Sequence, residues 1–248
     1  MKNRLDVIMQ NRGLAASRNK AQQLIKEGRV LVEGEAVSKP GAAIDELCNI
    51  TVLEGGLKYV SRGGLKLEEA LHHFDINLSG CVCIDIGSST GGFTDCMLQN
   101  GASFVYSVDA GENQLDDSLR GNEKICLMEK TNFRYLDKGK IDRVIDFAAC
   151  DVSFISLDKI LPNAYELLKF GGLMVCLIKP QFEAGRSNIG KGGIVRDKKV
   201  HERVIKNVIE SALALGFNNL GVTDSPITGG DGNKEYLILL KKKDKEGV

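Results

Sequence analysis

The sequence predicts an α/β protein: a doubly wound, mostly parallel sheet with a small α+β domain at its N-terminal end. Apolar, strand-like runs alternate with helix-spaced segments through most of the chain. At one junction a short apolar run, Cys81-Val82-Cys83-Ile84, enters Asp85-Ile86-Gly87-Ser88-Ser89-Thr90-Gly91-Gly92-Phe93-Thr94-Asp95, which reads as strand, glycine-rich turn and helix. The N-terminal segment follows a different pattern, with two short helices before a few short strands.

That segment comes first in chain order. Leu5, Val7, Ile8 and Met9 precede Asn11-Arg12-Gly13. Ser17 is placed to cap a second helix, whose apolar stripe is Ala21, Leu24 and Ile25, and Gly28 can end it. Val30-Leu31-Val32 and Ile50-Thr51-Val52-Leu53 read as strands, with Glu33-Gly34-Glu35 as a turn. The predicted boundaries are 1–58 for this domain, 59–64 for a linker flanked by glycine pairs, and 65–248 for the larger domain. A helix is expected from Gly64 to Phe74. Candidate strands follow at Val82–Asp85, Phe104–Asp109, Ile125–Glu129, Val144–Asp151, Leu173–Ile178, Leu220–Thr223 and Glu235–Leu240, the last one antiparallel. Candidate helices are Phe93–Gln99, Leu157–Lys169 and Lys198–Leu215. The lysine-rich end, 241–246, reads as a frayed tail.

Composition narrows the classes. With 248 residues, 43% of them hydrophobic, the chain can bury one large core and one small one. Formal net charge is zero, yet residues 1–30 hold seven basic side chains against Asp6 and Glu27. A local surplus of this kind is the footprint of a nucleic-acid contact in a neutral chain. No run is apolar and long enough to span a membrane, and no signal core opens the sequence, so a cytoplasmic location is expected. Seven cysteines without a C-x-x-C, several in apolar runs, read as buried thiols. No metal site is expected.

The glycine-rich turn lacks the G-x-G-x-x-G spacing of dinucleotide binders and the G-K-[ST] ending of a phosphate loop. An acidic strand end followed by Gly and a Gly-Gly pair suits a nucleoside cofactor without phosphates, for which S-adenosylmethionine (SAM) is the leading candidate. Asp109 ends the next strand, where an acidic residue accepts hydrogen bonds from ribose hydroxyls. Asp151 and Lys179 close two later strands. A lysine after Val175-Cys176-Leu177-Ile178 is costly unless paired, and Asp151 is the expected partner.

Two resemblances sharpen this reading. Arg4-Leu5-Asp6, Gly13-Leu14-Ala15, Ser17-Arg18, Ala21-x-x-Leu24-Ile25, Gly28-x-Val30-x-Val32 and Gly34 resemble the alpha-L RNA-binding module of a small-subunit ribosomal protein and of bacterial tyrosyl-tRNA synthetases. That resemblance implies contact with structured RNA by Arg4, Arg12, Arg18, Lys20 and Arg29. The second is to the FtsJ-like RNA 2′-O-methyltransferases, which carry a Lys-Asp-Lys-Glu tetrad in that order. The matching positions are Lys66, Asp151, Lys179 and Glu235. Together the two parts resemble the TlyA family, and Arg62-Gly63-Gly64 and Lys179-Pro180-Gln181-Phe182-Glu183 are similar to its signatures. The resemblance implies a seven-stranded SAM-dependent methyltransferase fold acting on cytidine ribose in ribosomal RNA, of the large subunit and in some members also the small. It implies a cofactor site at Arg62, Gly63, Asp85, Gly87, Ser88, Ser89, Gly91, Gly92, Phe93, Thr94, Asp109, Asn132 and Asp151, with Asn132 at the adenine. Ribosomal RNA or ribosomal subunits are the implied partners. The family is also labelled hemolysin, but the sequence offers no export signal, spanning helix or barrel-length strand series.

Two roles are open for Lys179 on this reading. As an ammonium held by Asp151 it stabilises a developing alkoxide; as a neutral amine it is the base. Rival readings are an RNA-binding assembly factor with a dead catalytic domain, and a SAM enzyme acting on a base or a protein. Retention of all four tetrad residues opposes the first. Asp151-Val152-Ser153-Phe154, which is not an Asn-Pro-Pro-Tyr-like tetrapeptide, opposes a base methyltransferase.

Overall fold

A computed structural model describes residues 2–26, 28–37, 39–53, 58–229 and 232–244. The chain divides into two compact units, Met1–Arg62 and Gly63–Val248. Residues 54–57, which precede the expected linker and carry its first glycine pair, and the tail beyond 244 lie outside the described residues.

In the first unit a short strand β1 (Lys2–Arg4) leads directly into helix α1 (Leu5–Asn11), and α2 (Arg18–Lys26) follows. Ser17 caps α2 as its sequence position requires, its hydroxyl accepting the Lys20 N–H at 3.1 Å. Gly28 adopts φ +71 and the next N–H returns to the Leu24 carbonyl, closing the helix. Strands β2 (Val30–Val32), β3 (Glu35–Ala36) and β5 (Ile50–Val52) form one antiparallel sheet, while β1 pairs with β4 (Ala43–Asp45). Strands β1, β3 and β4 were not expected, and Glu35, read as turn, begins one of them. Runs of two or three residues are too short to show alternation. Leu5, Ile8, Met9, Ala21, Ile25 and Val30 make the core.

Asp6 lies fully buried inside this unit. Its carboxylate accepts from Arg4 Nη2 at 2.9 Å, Arg18 Nε at 3.0 Å and Gln22 Nε2 at 2.7 Å. These donors, Arg4 first, hold its carboxyl well below the usual carboxylate range.

The second unit opens with α3 (Gly63–His73). Gly63 and Gly64, expected to end the linker, form its first turn instead, where N–H groups need no partner within the helix. A seven-stranded sheet follows: β6 (Val82–Ile86), β7 (Phe104–Val108), β8 (Ile125–Met128), β9 (Ile145–Cys150), β10 (Leu168–Ile178), β11 (Phe217–Asp224) and β12 (Tyr236–Lys242). Their order across the sheet is β11-β12-β10-β9-β6-β7-β8. β6 to β10 run parallel, and β12 runs antiparallel to both neighbours, as expected. Between β6 and β9 the winding reverses, leaving a crevice at the strands' carboxyl ends, the place where such sheets bind ligands.

Helices cover both faces. α3 packs on α4 (Gly92–Gln99) and both reach the sheet. On the other side, residues of α5 (Leu161–Leu167) and α7 (Lys198–Leu215), among them Leu161, Val204 and Val208, share a core with Ile84, Tyr106, Ala148, Met174 and Ile238. α7 has the limits its sequence predicts, with Asp197 capping the Lys199 N–H at 2.9 Å and Gly216 ending it at φ +102. The expected helix Leu157–Lys169 is divided. A 3-10 turn spans Leu157–Lys159, α5 starts beside Pro162 and stops at Leu167, and Leu168 already pairs with Ile145. Proline tolerates only the first helical turn, so the helix begins there.

Replacing Asp6 with Asn should leave two guanidiniums facing a neutral amide. We expect α1 and α2 to lose about 3 kcal/mol of stability, the scale for breaking a buried ion pair. Amide hydrogen exchange in those helices measures it, and unchanged protection would refute the clamp.

Candidate functional site

Four charged side chains converge at the carboxyl edge of the sheet. β9 ends at Cys150, so Asp151 follows at the rim. β10 ends at Ile178, and Pro180, which cannot continue a central strand, starts the short helix α6 (Pro180–Glu183) with Lys179 as its N-cap residue. Cys150 and Cys176 are in register, which sets Asp151 and Lys179 side by side. Because β12 is antiparallel, its start lies where the parallel strands end: Tyr236 pairs with Ile178, and Glu235 immediately precedes it. Lys66 reaches the same point from α3.

The four groups form a chain of alternating charge. Lys66 Nζ lies 2.7 Å from Glu235 Oε2 and 3.7 Å from Asp151 Oδ2, and Lys179 Nζ lies 2.5 Å from Asp151 Oδ1. Lys66, Lys179 and Glu235 are buried and Asp151 is partly exposed. Two further side chains join that the sequence did not single out. Ser153 Oγ accepts from Lys179 at 3.0 Å, and Gln181 Nε2 reaches Glu235 Oε1 at 3.4 Å. Their closeness in sequence to Asp151 and Lys179 was the available signal. Phe154 was missed as well. Its side chain is 91% exposed, its φ is +64, and its ring centroid is 4.9 Å from that of Phe182.

Beside this chain a cavity of about 460 Å³ opens at the winding reversal. Gly87, Ser89, Asp109, Asn132 and Asp151, all expected in a cofactor site, line it, together with Gln114, Ser153 and Phe154. Ile86, Val108, Phe133 and Ile160 supply apolar wall. Its lining holds two carboxylates and neither lysine nor arginine. Such a wall repels phosphate and suits a neutral or cationic nucleoside. Asp109 is fixed facing it, Oδ2 accepting from Ser89 N at 2.8 Å and Oδ1 from Gly111 N at 2.7 Å, with lone pairs left for hydroxyl donors. At Gly87, φ +85, a Cβ would lie 2.7 Å from the Asp151 carbonyl oxygen, so only glycine lets β6 turn this close to β9.

The other expected cofactor residues stand behind the turn. Asp85 is fully buried and accepts from Thr94 N at 2.9 Å and Thr94 Oγ1 at 2.7 Å. That ties the strand end to α4. Burial pushes the Asp85 carboxyl up to about 7, against the pull of the Thr94 bonds and with the help of the Asp151 and Asp109 charges. Gly91 (φ +92), Gly92 and Phe93 shape the entry to α4, and all three are buried. Ser88 Oγ is buried without a partner among the described residues. Gly63 opens α3, and Arg62 belongs to the first unit, where its side chain runs alongside Gly28.

The five basic residues expected to meet RNA are used inside their own unit to different degrees. Arg4 and Arg18 clamp Asp6 with their side chains half exposed. Arg12 donates to the Glu46 and Cys48 carbonyls, and Arg29 to the Leu53 carbonyl. Lys20 meets only the Gln23 side-chain oxygen.

Comparison with known proteins agrees with this geometry. The FtsJ-like methyltransferase family model matches residues 59–242, and the S4 domain model matches residues 3–46. The chain is 51% identical to "Putative rRNA methyltransferase YqxC" of Bacillus subtilis, covering 96% of this chain and 85% of that protein. It is 39% identical to the 16S/23S rRNA (cytidine-2′-O)-methyltransferase TlyA of Mycobacterium tuberculosis, covering 96% and 89%. Among solved structures, "Putative hemolysin from Streptococcus thermophilus" superposes with a TM-score of 0.77 at 46% identity, covering 98% of this chain and 90% of that one. Among the described residues no helix is long and apolar enough to cross a membrane. The cofactor is SAM: the acidic, phosphate-averse cavity fits it, and the FtsJ-like family match names the same class of enzyme.

Two outcomes test the site. Gly87→Ala should weaken SAM binding by roughly tenfold or more, the worth of 1–3 kcal/mol of backbone strain and contact; unchanged affinity by calorimetric titration would separate the turn from the site. The second concerns Asp85, whose folded value of about 7 exceeds its ordinary 3.8. The folded state holds the proton more tightly, so this group's contribution is full below about 4 and fades as pH rises to about 7. Wild type should therefore lose stability relative to Asp85→Asn across that window, read by denaturant unfolding at several pH values. Parallel curves would contradict it.

Proposed function

We propose a specific reaction for this chain, which belongs to the FtsJ-like methyltransferase family and carries an S4 domain: transfer of the SAM methyl group to the ribose 2′-oxygen of a cytidine in ribosomal RNA. Large-subunit RNA is the first substrate to test and small-subunit RNA the second. The observation that carries this reading is the Glu235–Lys66–Asp151–Lys179 chain ending beside the cavity. The named activity of the TlyA relative supports the substrate. We place the activity in the cytoplasm, with the ribosome or its RNA as partner, and assign 1–58 to RNA binding and 65–248 to chemistry, joined through 59–64.

When bound, SAM supplies a methyl group already activated as an electrophile by its sulfonium. The chain's residues must hold it, hold the ribose, and favour charge on the 2′-oxygen. Asp109 accepts the cofactor's ribose hydroxyls, and Asn132 with the apolar wall flanks its base. Gly87 to Ser89 gives backbone against the methionine part, and Asp85 with Thr94 keeps that turn in place from behind. Lys179 meets the substrate hydroxyl as an ammonium, since its ion pair with Asp151 needs both charges. Asp151 and Ser153 take two of its three N–H bonds and leave one for the 2′-oxygen. A charged donor fixed before the reaction lowers the cost of a developing alkoxide. Lys66 and Glu235 orient Asp151 and, through it, Lys179. Phe154, exposed on strained backbone against Phe182, offers a face on which an unstacked base can rest.

Lys179→Ala should lower methyl transfer to ribosomal RNA by at least about a hundredfold, the scale for losing one oxyanion donor, with SAM affinity within severalfold. Labelled-methyl transfer with mapping of 2′-O-methyl sites reads both activity and position. Retained turnover, or label found on a base, would overturn the assignment.

A further inference from the structure

A second concentration of basic residues lies far from the N-terminal one. Between positions 185 and 199 stand Arg186, Lys191, Arg196, Lys198 and Lys199 against a single acid, Asp197, in a chain of net charge zero. Part of this segment borders a groove of about 710 Å³, walled by Ile194, Val195, Arg196 and the start of α7 on one side and by Lys234 and Tyr236 on the other. Among the described residues neither Arg196 nor Lys198 has an ion-pair partner. Lys234 pairs with Asp224 at 2.8 Å where both are exposed, and its Nζ lies 5.2 Å from the centre of the Tyr236 ring. Glu202 is the acidic member of the lining.

The groove is built, and it is tied to the catalytic strand. Buried Asn233 fastens the segment, its Oδ1 accepting from Val195 N at 3.0 Å and its Nδ2 donating to the Gly193 carbonyl at 3.0 Å. His201, also buried, holds Tyr236 Oη at 2.8 Å from Nδ1 and donates from Nε2 to the Val195 carbonyl at 2.9 Å. Successive side chains of an extended segment alternate in direction. Glu235 therefore turns inward to Lys66, while its neighbours Lys234 and Tyr236 border the groove. A chain lying in the groove is one backbone away from the tetrad.

We infer that this groove is an RNA-backbone site on the catalytic unit, in which Arg196, Lys198 and Lys234 contact phosphates flanking the nucleotide to be methylated. The inference rests on the proposed RNA 2′-O-methyltransferase activity. Its ligand chemistry is a run of phosphodiesters, since cations spaced along an open groove beside a partly exposed aromatic ring match single-stranded nucleic acid. The contact is separate from the S4 domain. It would position RNA at the reacting centre and add affinity independent of sequence.

The test uses the full chain and ribosomal RNA carrying the target. Arg196→Glu combined with Lys198→Glu should weaken RNA binding at least tenfold and make the slope of log affinity against log salt shallower by about 1.5, near one unit per lost phosphate contact. SAM affinity and the melting temperature should stay at wild-type values. Lys206→Glu, on α7 but outside the groove, is the control. Unchanged RNA affinity and salt slope in the double variant would overturn the groove, and so would an equal loss from Lys206→Glu. Failure of the underlying activity is distinguishable, because wild-type protein would then methylate no ribosomal RNA.

Discussion

The alternating ion pairs from Glu235 through Lys66 and Asp151 to Lys179 constrain everything around them. Two positive and two negative side chains are largely withdrawn from water, where a lone charge costs several kcal/mol. Each interior member touches charges of opposite sign on both sides, so the set is neutral as a whole. The ends differ. Glu235 is met by Gln181, while Lys179 keeps donor capacity toward the cavity rim. The arrangement thus holds a cation at a defined place without spending all of its hydrogen bonds inside the protein.

The sheet makes that arrangement available. A doubly wound parallel core brings several strand ends to one edge, and the antiparallel β12 contributes a strand start to the same edge. Glycine at position 87 allows β6 to turn within contact distance of the Asp151 carbonyl, so the cavity and the charged chain share Asp151 as a common wall. Asp85 supports the turn from beneath, tolerated in the core because Thr94 supplies two donors and because burial favours its proton. Asp85 is therefore best understood as a brace of the turn.

Much of this was legible in the sequence, for identifiable reasons. β6 and α7 announce themselves through apolar patterning, and Asp197 and Gly216 mark both ends of α7. Asp151 and Lys179 stand out because each is a charge at the end of an apolar run. Ser153 and Phe154 carry no such mark; their importance comes from a hydroxyl 3.0 Å from Lys179 and from a backbone angle that sequence does not encode legibly. The N-terminal arginines show the converse. Composition groups them as one basic surface, whereas Arg12 and Arg29 donate to backbone carbonyls of their own unit and Arg4 and Arg18 clamp a buried aspartate.

Local physics determined which segments are strands, turns and helices, and with the glycine turn it determined where a nucleoside cofactor belongs. Hydrophobic periodicity and backbone freedom act over a few residues, and a sequence displays them directly. Tertiary structure alone decided that Lys66 meets Glu235 across 169 positions, that Asn233 fastens Val195 beside the catalytic strand, and that Arg196 and Lys198 border an open groove. Those outcomes depend on strand order, on the reversed direction of β12 and on its register with β10, and no window of neighbouring residues contains them.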